Sequence, residues 1–167
     1  MNVAMADRKD RLIRERIHDP YQSKRKPAEP SVCPGCYAVF GQGRWRWAES
    51  WPANSHRELC QACRRVRDNC PAGIVTLQGE PLLTRREEIV NLVRNHEREE
   101  NAEHPLHRIM KLEVAPLAMT IQTTDIHLPR RIGQALRRAF KGKVTHRYEN
   151  GTCLVRVSWD RTKPGSK

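Results

Sequence analysis

The chain has no long apolar run. None of its stretches approaches the roughly 18 to 20 uninterrupted apolar residues that a bilayer crossing needs, so no transmembrane helix is expected. Aromatic residues make up only 5% of the chain and mean hydropathy is −0.77, which argues against one large, aromatic-rich core. Acid is short as well: 19 Asp and Glu stand against 31 Lys and Arg, for a formal net charge of +12. That excess points to a polyanionic partner, nucleic acid before anionic membrane. Near Met1 there is no leader-like apolar segment. The charged run Asp7 to Arg11 follows at once, so no signal peptide is expected and the location is read as cytoplasmic. Enzyme signatures are missing too: no His-Glu-x-x-His, no Gly-x-x-x-x-Gly-Lys-Ser/Thr and no Gly-x-Ser-x-Gly. The deaminase pattern fails because neither cysteine pair has its upstream His-x-Glu partner. His104 and His107 flank Pro105, with no carboxylate placed by the sequence to orient them. The reading is therefore a protein that is not an enzyme, with no small-molecule substrate inferred.

Against these absences, two Cys-x-x-Cys pairs stand out: Cys33-Pro-Gly-Cys36 and Cys60-Gln-Ala-Cys63. Each puts two sulfurs on one tight turn, and four converging thiolates suit Zn²⁺ in a closed structural site. The 37–59 gap leaves room for a β-hairpin. Two reducible dithiols are the competing reading. A redox pair is expected after a strand in a βαβ unit, however, and Cys33 sits among Pro, Ser and Glu. In a reducing cytosol paired thiols bind metal in preference to cross-linking. Cys70 and His56 could each replace a knuckle cysteine as ligand, although four thiolates already complete a site. Cys70 then reads as a free thiol.

Composition divides the chain into five stretches. Residues 1–30 read as a basic flexible arm, with one helical turn around Ile13 and Ile17 before Pro20, Pro27 and Pro30. Residues 31–79 form the Cys₄ zinc ribbon. In it Arg44, Trp45, Arg46 and Trp47 alternate as on a strand with one apolar and one basic face. Residues 80–105 form a connecting helix: Thr84 and Glu87 have capping-box spacing, and Ile89, Val90, Leu92, Val93 and His96 make one stripe. Residues 106–162 form a basic α+β unit, and 163–167 a tail. Net charge is +9 over residues 106–167, three quarters of the total, which locates the electrostatic footprint in the C-terminal third.

The C-terminal unit reads as ββαββ. Met110, Leu112 and Val114 mark one strand, and Met119, Ile121 and Thr123 a second. Asp125 opens a helix that tolerates Pro129 in its first turn. Leu128, Ile132, Ala135, Leu136 and Ala139 fall on one helical face, and Arg130, Arg131, Gln134, Arg137, Arg138 and Lys141 on the other. Gly142 ends the helix. Val144, His146 and Tyr148 start a hairpin that turns at Asn150-Gly151 and returns through Cys153, Val155, Val157 and Trp159. The predicted fold class is thus α+β: a small Cys₄ ribbon followed by an antiparallel ββαββ sheet with a basic amphipathic helix. The part from about residue 80 to 162 is expected to fold without the ribbon.

No acid occurs between Ile126 and Val144. A solvated face usually mixes signs, so the predicted anion-binding residues are Arg130, Arg131, Arg137, Arg138 and Lys141. Arg64 and Arg65 beside the second knuckle, Arg44 and Arg46 on the hairpin, and Trp51 as a base-stacking ring complete the candidate nucleic-acid set.

The knuckles together with Gly43-Arg44-Trp45, Arg64-Arg65, Pro71-Ala72-Gly73, His104-Pro105, Arg108-Ile109-Met110, Thr123-Thr124-Asp125, His127-Leu128 and Ile132-Gly133-Gln134-Ala135-Leu136 carry a resemblance. Over roughly residues 30–160 the chain resembles a small bacterial family of uncharacterised basic zinc-ribbon proteins. Its zinc portion is similar to the N-terminal part of the archaeal and eukaryotic adaptor family that exports and matures the large ribosomal subunit. That family carries more Cys-x-x-Cys knuckles than the two present here. The strand–helix–hairpin order is also similar to that of ribosome-hibernation factors. These resemblances imply a ribosomal setting. The expected function is binding of structured RNA, ribosomal RNA or the ribosome, in translation, assembly or hibernation, with Zn²⁺ as cofactor. The rivals are a DNA-binding transcriptional regulator and a protein–protein adaptor with an acidic partner.

Overall fold

The computed structural model describes residues 19–22, 25–149 and 153–162. The expected helical turn at Ile13 and Ile17, Ser23 and Lys24 of the expected arm, the Asn150-Gly151 turn and the tail lie outside the described residues. The chain is α+β and builds two mixed sheets.

The first sheet is small. Strands β1 (Ser31–Val32), β2 (Val39–Gly41), β3 (Arg44–Arg46) and β4 (His56–Arg57) lie in the order β3-β2-β1-β4. The β2–β3 hairpin turns on Gln42 and Gly43, both left-handed at φ 54° and 77°. A two-residue turn of that hand follows the natural twist of the strands. The Glu29 carboxylate accepts hydrogen bonds from both turn N–H groups at 2.9 Å, fixing the loop tip to the chain entering the sheet. Trp45 points inward against Phe40, with ring centroids 5.4 Å apart, while Arg44 is exposed. The predicted two-faced strand is therefore present, three residues long. Helix α1 (Gln61–Arg67) starts within the second knuckle, with Cys60 as its N-cap and Cys63 in its first turn.

Residues Asp19 to Gln22 do not extend away as an arm. Arg65 reaches Asp19 at 2.6 Å and stacks over the Tyr21 ring at 4.5 Å, and the Tyr21 hydroxyl donates to Asp68. This part of the predicted arm is clasped onto α1.

The second sheet has five strands: β5 (Gly73–Gly79), β6 (Ile109–Val114), β7 (Ala118–Thr123), β8 (Lys143–Tyr148) and β9 (Val155–Arg161). Their order is β6-β7-β5-β9-β8. Strand β5 is central, antiparallel to β7 and parallel to β9. Two sequence expectations need correcting here. The sheet is mixed where an antiparallel one was expected, and residues 73–79 belong to this sheet although the boundary at 79 assigned them to the ribbon. The physical reason lies in the alternation of β5. Val75 and Leu77 are fully buried, and Ile74, Thr76 and Gln78 turn to the other side. Without β5, the β6–β7 and β8–β9 hairpins would share no hydrogen bonds.

Helices α2 (Pro81–Thr84), α3 (Arg86–Glu103) and α4 (His127–Phe140) supply the second layer. Leu82, Ile89 and Val93 join Leu128, Ile132, Leu136 and Phe140 above Val75, Leu77, Ile121, Val157 and Trp159. The predicted capping box at Thr84 does not form. Thr84 ends α2, and α3 starts after Arg85, which grips the Glu88 carboxylate at 2.5 and 2.9 Å. Asp125 does open α4, accepting from the His127 and Leu128 N–H groups at 2.6 and 2.8 Å. Ala139 is exposed, and Phe140 takes the inward position expected of it. Cys153, expected on the returning strand, lies half-buried in the bend before β9. A Cβ on Gly133 would sit 2.8 Å from Val157, so only glycine lets α4 lie this close to the sheet.

The central place of β5 moves the boundary of the autonomous unit. A fragment of residues 71–162 is expected to unfold cooperatively in urea with a native-like circular dichroism spectrum. A fragment of residues 80–162 lacks β5 and is expected to be largely disordered. Equal stability of the two would contradict this assignment.

Candidate metal centre and nucleic-acid interface

Four sulfur atoms converge where β1, the turn after it and the N-terminus of α1 meet. The Sγ atoms of Cys33, Cys36, Cys60 and Cys63 all lie within 4.8 Å of one another. Among the described residues this is the group able to hold a metal ion. Cys33 and Cys60 are fully buried, and no disulfide links any of the four. The spacing fits a tetrahedral thiolate site. A metal–sulfur bond of about 2.3 Å gives an S···S edge of about 3.8 Å, and Cys36 and Cys60 are 3.7 Å apart.

The local chain is shaped for this. Tyr37 takes a left-handed φ of 65° after the first knuckle, its N–H donating to the Cys33 carbonyl at 2.8 Å. Gly35 leaves the gap that a side chain would fill: a Cβ there would meet Cys63 Sγ at 2.9 Å. Backbone N–H groups of Cys60 and Cys63 point at Cys33 and Cys60 Sγ at 3.3 and 3.4 Å. Hydrogen bonds with Cys33 and Cys36, together with burial, push the Cys60 thiol up, while hydrogen bonds from Cys36 and Cys60 hold Cys33 down. The hydrogen bond with Cys33 pushes Cys36 up to about 11. Four thiolates in this space require a cation.

One cation comes from the protein. The Arg108 guanidinium, just before β6, donates to Cys63 Sγ at 3.2 Å and lies 3.7 Å from Cys60 Sγ. Burial works against its charge, but the hydrogen bond to Cys63 and the field of the sulfurs outweigh that and raise it above the ordinary arginine value. Arg108 was not among the residues predicted for the site. It lies 45 residues from Cys63, and the Arg108-Ile109-Met110 stretch gives no sign of a place beside the sulfurs. Cys70 and His56 stay outside the sulfur cluster.

A second polar constellation lies at the same end of the large sheet. The His107 Nδ1 is 2.8 Å from the Glu100 carboxylate, and the other Glu100 oxygen holds Arg131. The His107 ring stands between the His104 and His127 rings, with centroids at 4.8 and 5.4 Å. The expectation that no carboxylate orients the His104–His107 pair is thus corrected. Glu100 lies seven residues before His107, and the turn at Pro105 folds it back. Burial works against the Glu100 charge, but the His107 hydrogen bond and Arg131 hold it below the usual range. Burial pushes the Asp125 carboxyl up, and its Oδ1 has no hydrogen-bond partner.

The candidate nucleic-acid residues fall in four places. Arg130, Arg137, Arg138 and Lys141 are exposed along α4, with Arg131 beside them but tied to Glu100. Arg44 and Arg46 on β3 share a cleft with Arg64, which is paired to Glu58 at 2.8 Å. Arg65 is 3% exposed and turned inward to Asp19 and the Cys70 carbonyl, so its charge is spent inside the fold. Trp51 is 60% exposed and stacks on exposed Tyr37 at 5.0 Å. Trp47 donates to the Asn101 carbonyl, joining ribbon to α3.

No family model, no curated protein and no solved structure matches the chain. Among the described residues, no helix is long and apolar enough to cross a membrane.

Replacing Arg108 with Gln is expected to weaken metal retention roughly 10- to 100-fold, as for other groups that support metal ligands. Competition with a chromophoric chelator measures this. Cys60→Ser is expected to abolish retention, and Cys70→Ser to leave it unchanged. A Cys70→Ser protein that releases its metal would overturn the ligand assignment.

Proposed function

We propose that this chain is a zinc-ribbon protein that binds structured RNA in the setting of the ribosome and catalyses no reaction of its own. Zn²⁺ is the ion of choice for the four-sulfur site: thiolates favour a soft or borderline ion, and a closed S₄ set leaves no open position for chemistry. Its part would be to cross-link the ribbon. Cys33, Cys36, Cys60 and Cys63 would hold it, with Arg108 offsetting the net negative charge of the site.

The observation that carries the RNA reading is the outer face of α4. It is exposed at Arg130, Arg137, Arg138 and Lys141, and no acid occurs on the helix. Like charges at helical spacing destabilise a helix in isolation, so their retention on one face is explained by an anionic partner. RNA is favoured over duplex DNA because the exposed cations of α4 are spread along it, from Arg130 to Lys141, and are not gathered at the N-terminus that a recognition helix lays on base edges. The polar set is Arg-rich and suits phosphate contacts. The stacked, exposed Tyr37–Trp51 pair adds a surface on which an unpaired base can lie.

Replacing Arg137 and Arg138 with Gln is expected to flatten the slope of log affinity against log salt by about 1 to 2 and to weaken different RNA sequences alike. Arg131 is a poorer choice for this test because Glu100 holds it. In a sucrose gradient of cell lysate the protein is expected to travel with ribosomal particles at low salt and to leave them at high salt. Protein that stays at the top of the gradient at low salt would contradict the ribosomal setting. Nuclease-resistant capture of an acidic protein would favour the adaptor reading, and tighter binding to duplex DNA than to ribosomal RNA the regulator reading.

A further inference from the structure

Between the ribbon and the His104–His107 turn lies a cleft of about 710 Å³, inside the roughly 300–1,000 Å³ range of small-ligand sites. Its charge is one-sided. Arg25, Lys26, Arg44, Arg46 and Arg64 line it, against Glu58 and Glu103, with the Glu29 carboxylate close enough to feel the charges of Lys26 and Arg46. Glu58 is already paired with Arg64. His104 and His107 form the opposite lip, and Glu100 fixes the His107 ring through Nδ1. That hydrogen bond leaves Nε2 as the polar atom of the ring still to be used.

The remaining wall is apolar. Phe40, Leu59, Leu106 and Trp45 contribute to it, and all four belong to the small core around the sulfur cluster. The cleft therefore joins three features: cations that match a phosphate, a rigid apolar wall that matches a planar base, and an oriented imidazole. A simple phosphate site has no use for the apolar wall, and a purely hydrophobic ligand has none for the cations. The His104–His107–His127 ring stack also connects this cleft to the start of α4, whose basic face continues beyond it.

We propose that this cleft is a nucleotide site that takes one unpaired nucleotide, its base against the Phe40–Leu106 wall and its phosphate on Arg44, Arg46 and Lys26. The nucleotide comes either from a single-stranded stretch of RNA or from a free mononucleotide. The first source rests on the RNA-binding reading above, and the second does not. A base held in a duplex cannot enter, so the site selects unpaired strand.

The test uses the full-length, metal-loaded protein with three probes: a short labelled single-stranded RNA, the duplex of the same sequence, and AMP by calorimetry. The double variant Arg44→Gln/Arg46→Gln is expected to lose roughly tenfold or more in single-strand affinity, as charge-assisted hydrogen bonds to phosphate are removed. It is expected to lose AMP binding and to keep duplex binding. Arg137→Gln/Arg138→Gln is expected to weaken both RNA forms. Single-strand binding much tighter than AMP binding identifies the strand as ligand, and comparable affinities identify the free nucleotide. Should the ribbon variant unfold, Lys26→Gln, which lies outside both sheets, tests the same phosphate contact. A folded variant with wild-type affinity for single strand and AMP would overturn the cleft and leave the α4 reading standing. Wild-type protein that binds AMP but neither RNA would overturn the RNA reading and leave the cleft standing.

Discussion

The crowding of four sulfurs within 4.8 Å is the constraint on which the ribbon depends. Strands of two and three residues cannot hold a sheet by backbone hydrogen bonds alone, and the six-residue buried cluster beneath them includes two of the ligands. A core that small offsets little of the ordering entropy, and small domains of this kind rely on a metal or a disulfide. No disulfide joins the four clustered cysteines, so a metal is the available cross-link. Gly35 and the left-handed Tyr37 matter because they let the knuckle close around that point.

The same constraint reaches the larger sheet. Arg108 leads into β6 and ends on the sulfurs, Leu106 packs on the ribbon core, and β5 leaves α1 through a short turn to become the central strand. The four-sulfur cluster, the Glu100–His107 pair and the N-terminus of α4 therefore gather at one end of the sheet. The proposed nucleotide cleft and the basic helix are held in one frame, so a strand of RNA could touch both.

What was legible in the sequence was whatever is local. The four-cysteine cluster follows from two tight motifs, and α4 from a 3.6-residue period with every charge of one sign. The hairpin around Trp45 followed from simple alternation. What was missed is long-range. Strand β5 alternates cleanly at Val75 and Leu77, but its short run beside the second knuckle reads as part of the ribbon. Only its pairing with β9, some 80 residues away, shows otherwise. Glu100 sits on the same stripe of α3 as Ile89 and Val93, and a charged run gave no sign that one member is buried. Arg65 looked like a surface cation for the opposite reason: its partner Asp19 is 46 residues distant. Charge in a sequence shows the sum of the field, and the fold decides which charges are already spent.

Two kinds of positive charge follow from that distinction. Arg65, Arg108 and Arg131 serve the architecture, while Arg130, Arg137, Arg138 and Arg44, with no ion pair to a carboxylate among the described contacts, and Arg46, which feels Glu29 from a distance, carry the functional proposal. All of it presupposes the metal-held ribbon. Elemental analysis of the purified, gel-filtered chain tests this most directly. One zinc per chain is expected, with four thiols protected from alkylation until a chelator is added. A protein that carries no metal and in which all six cysteines alkylate at once would contradict the account.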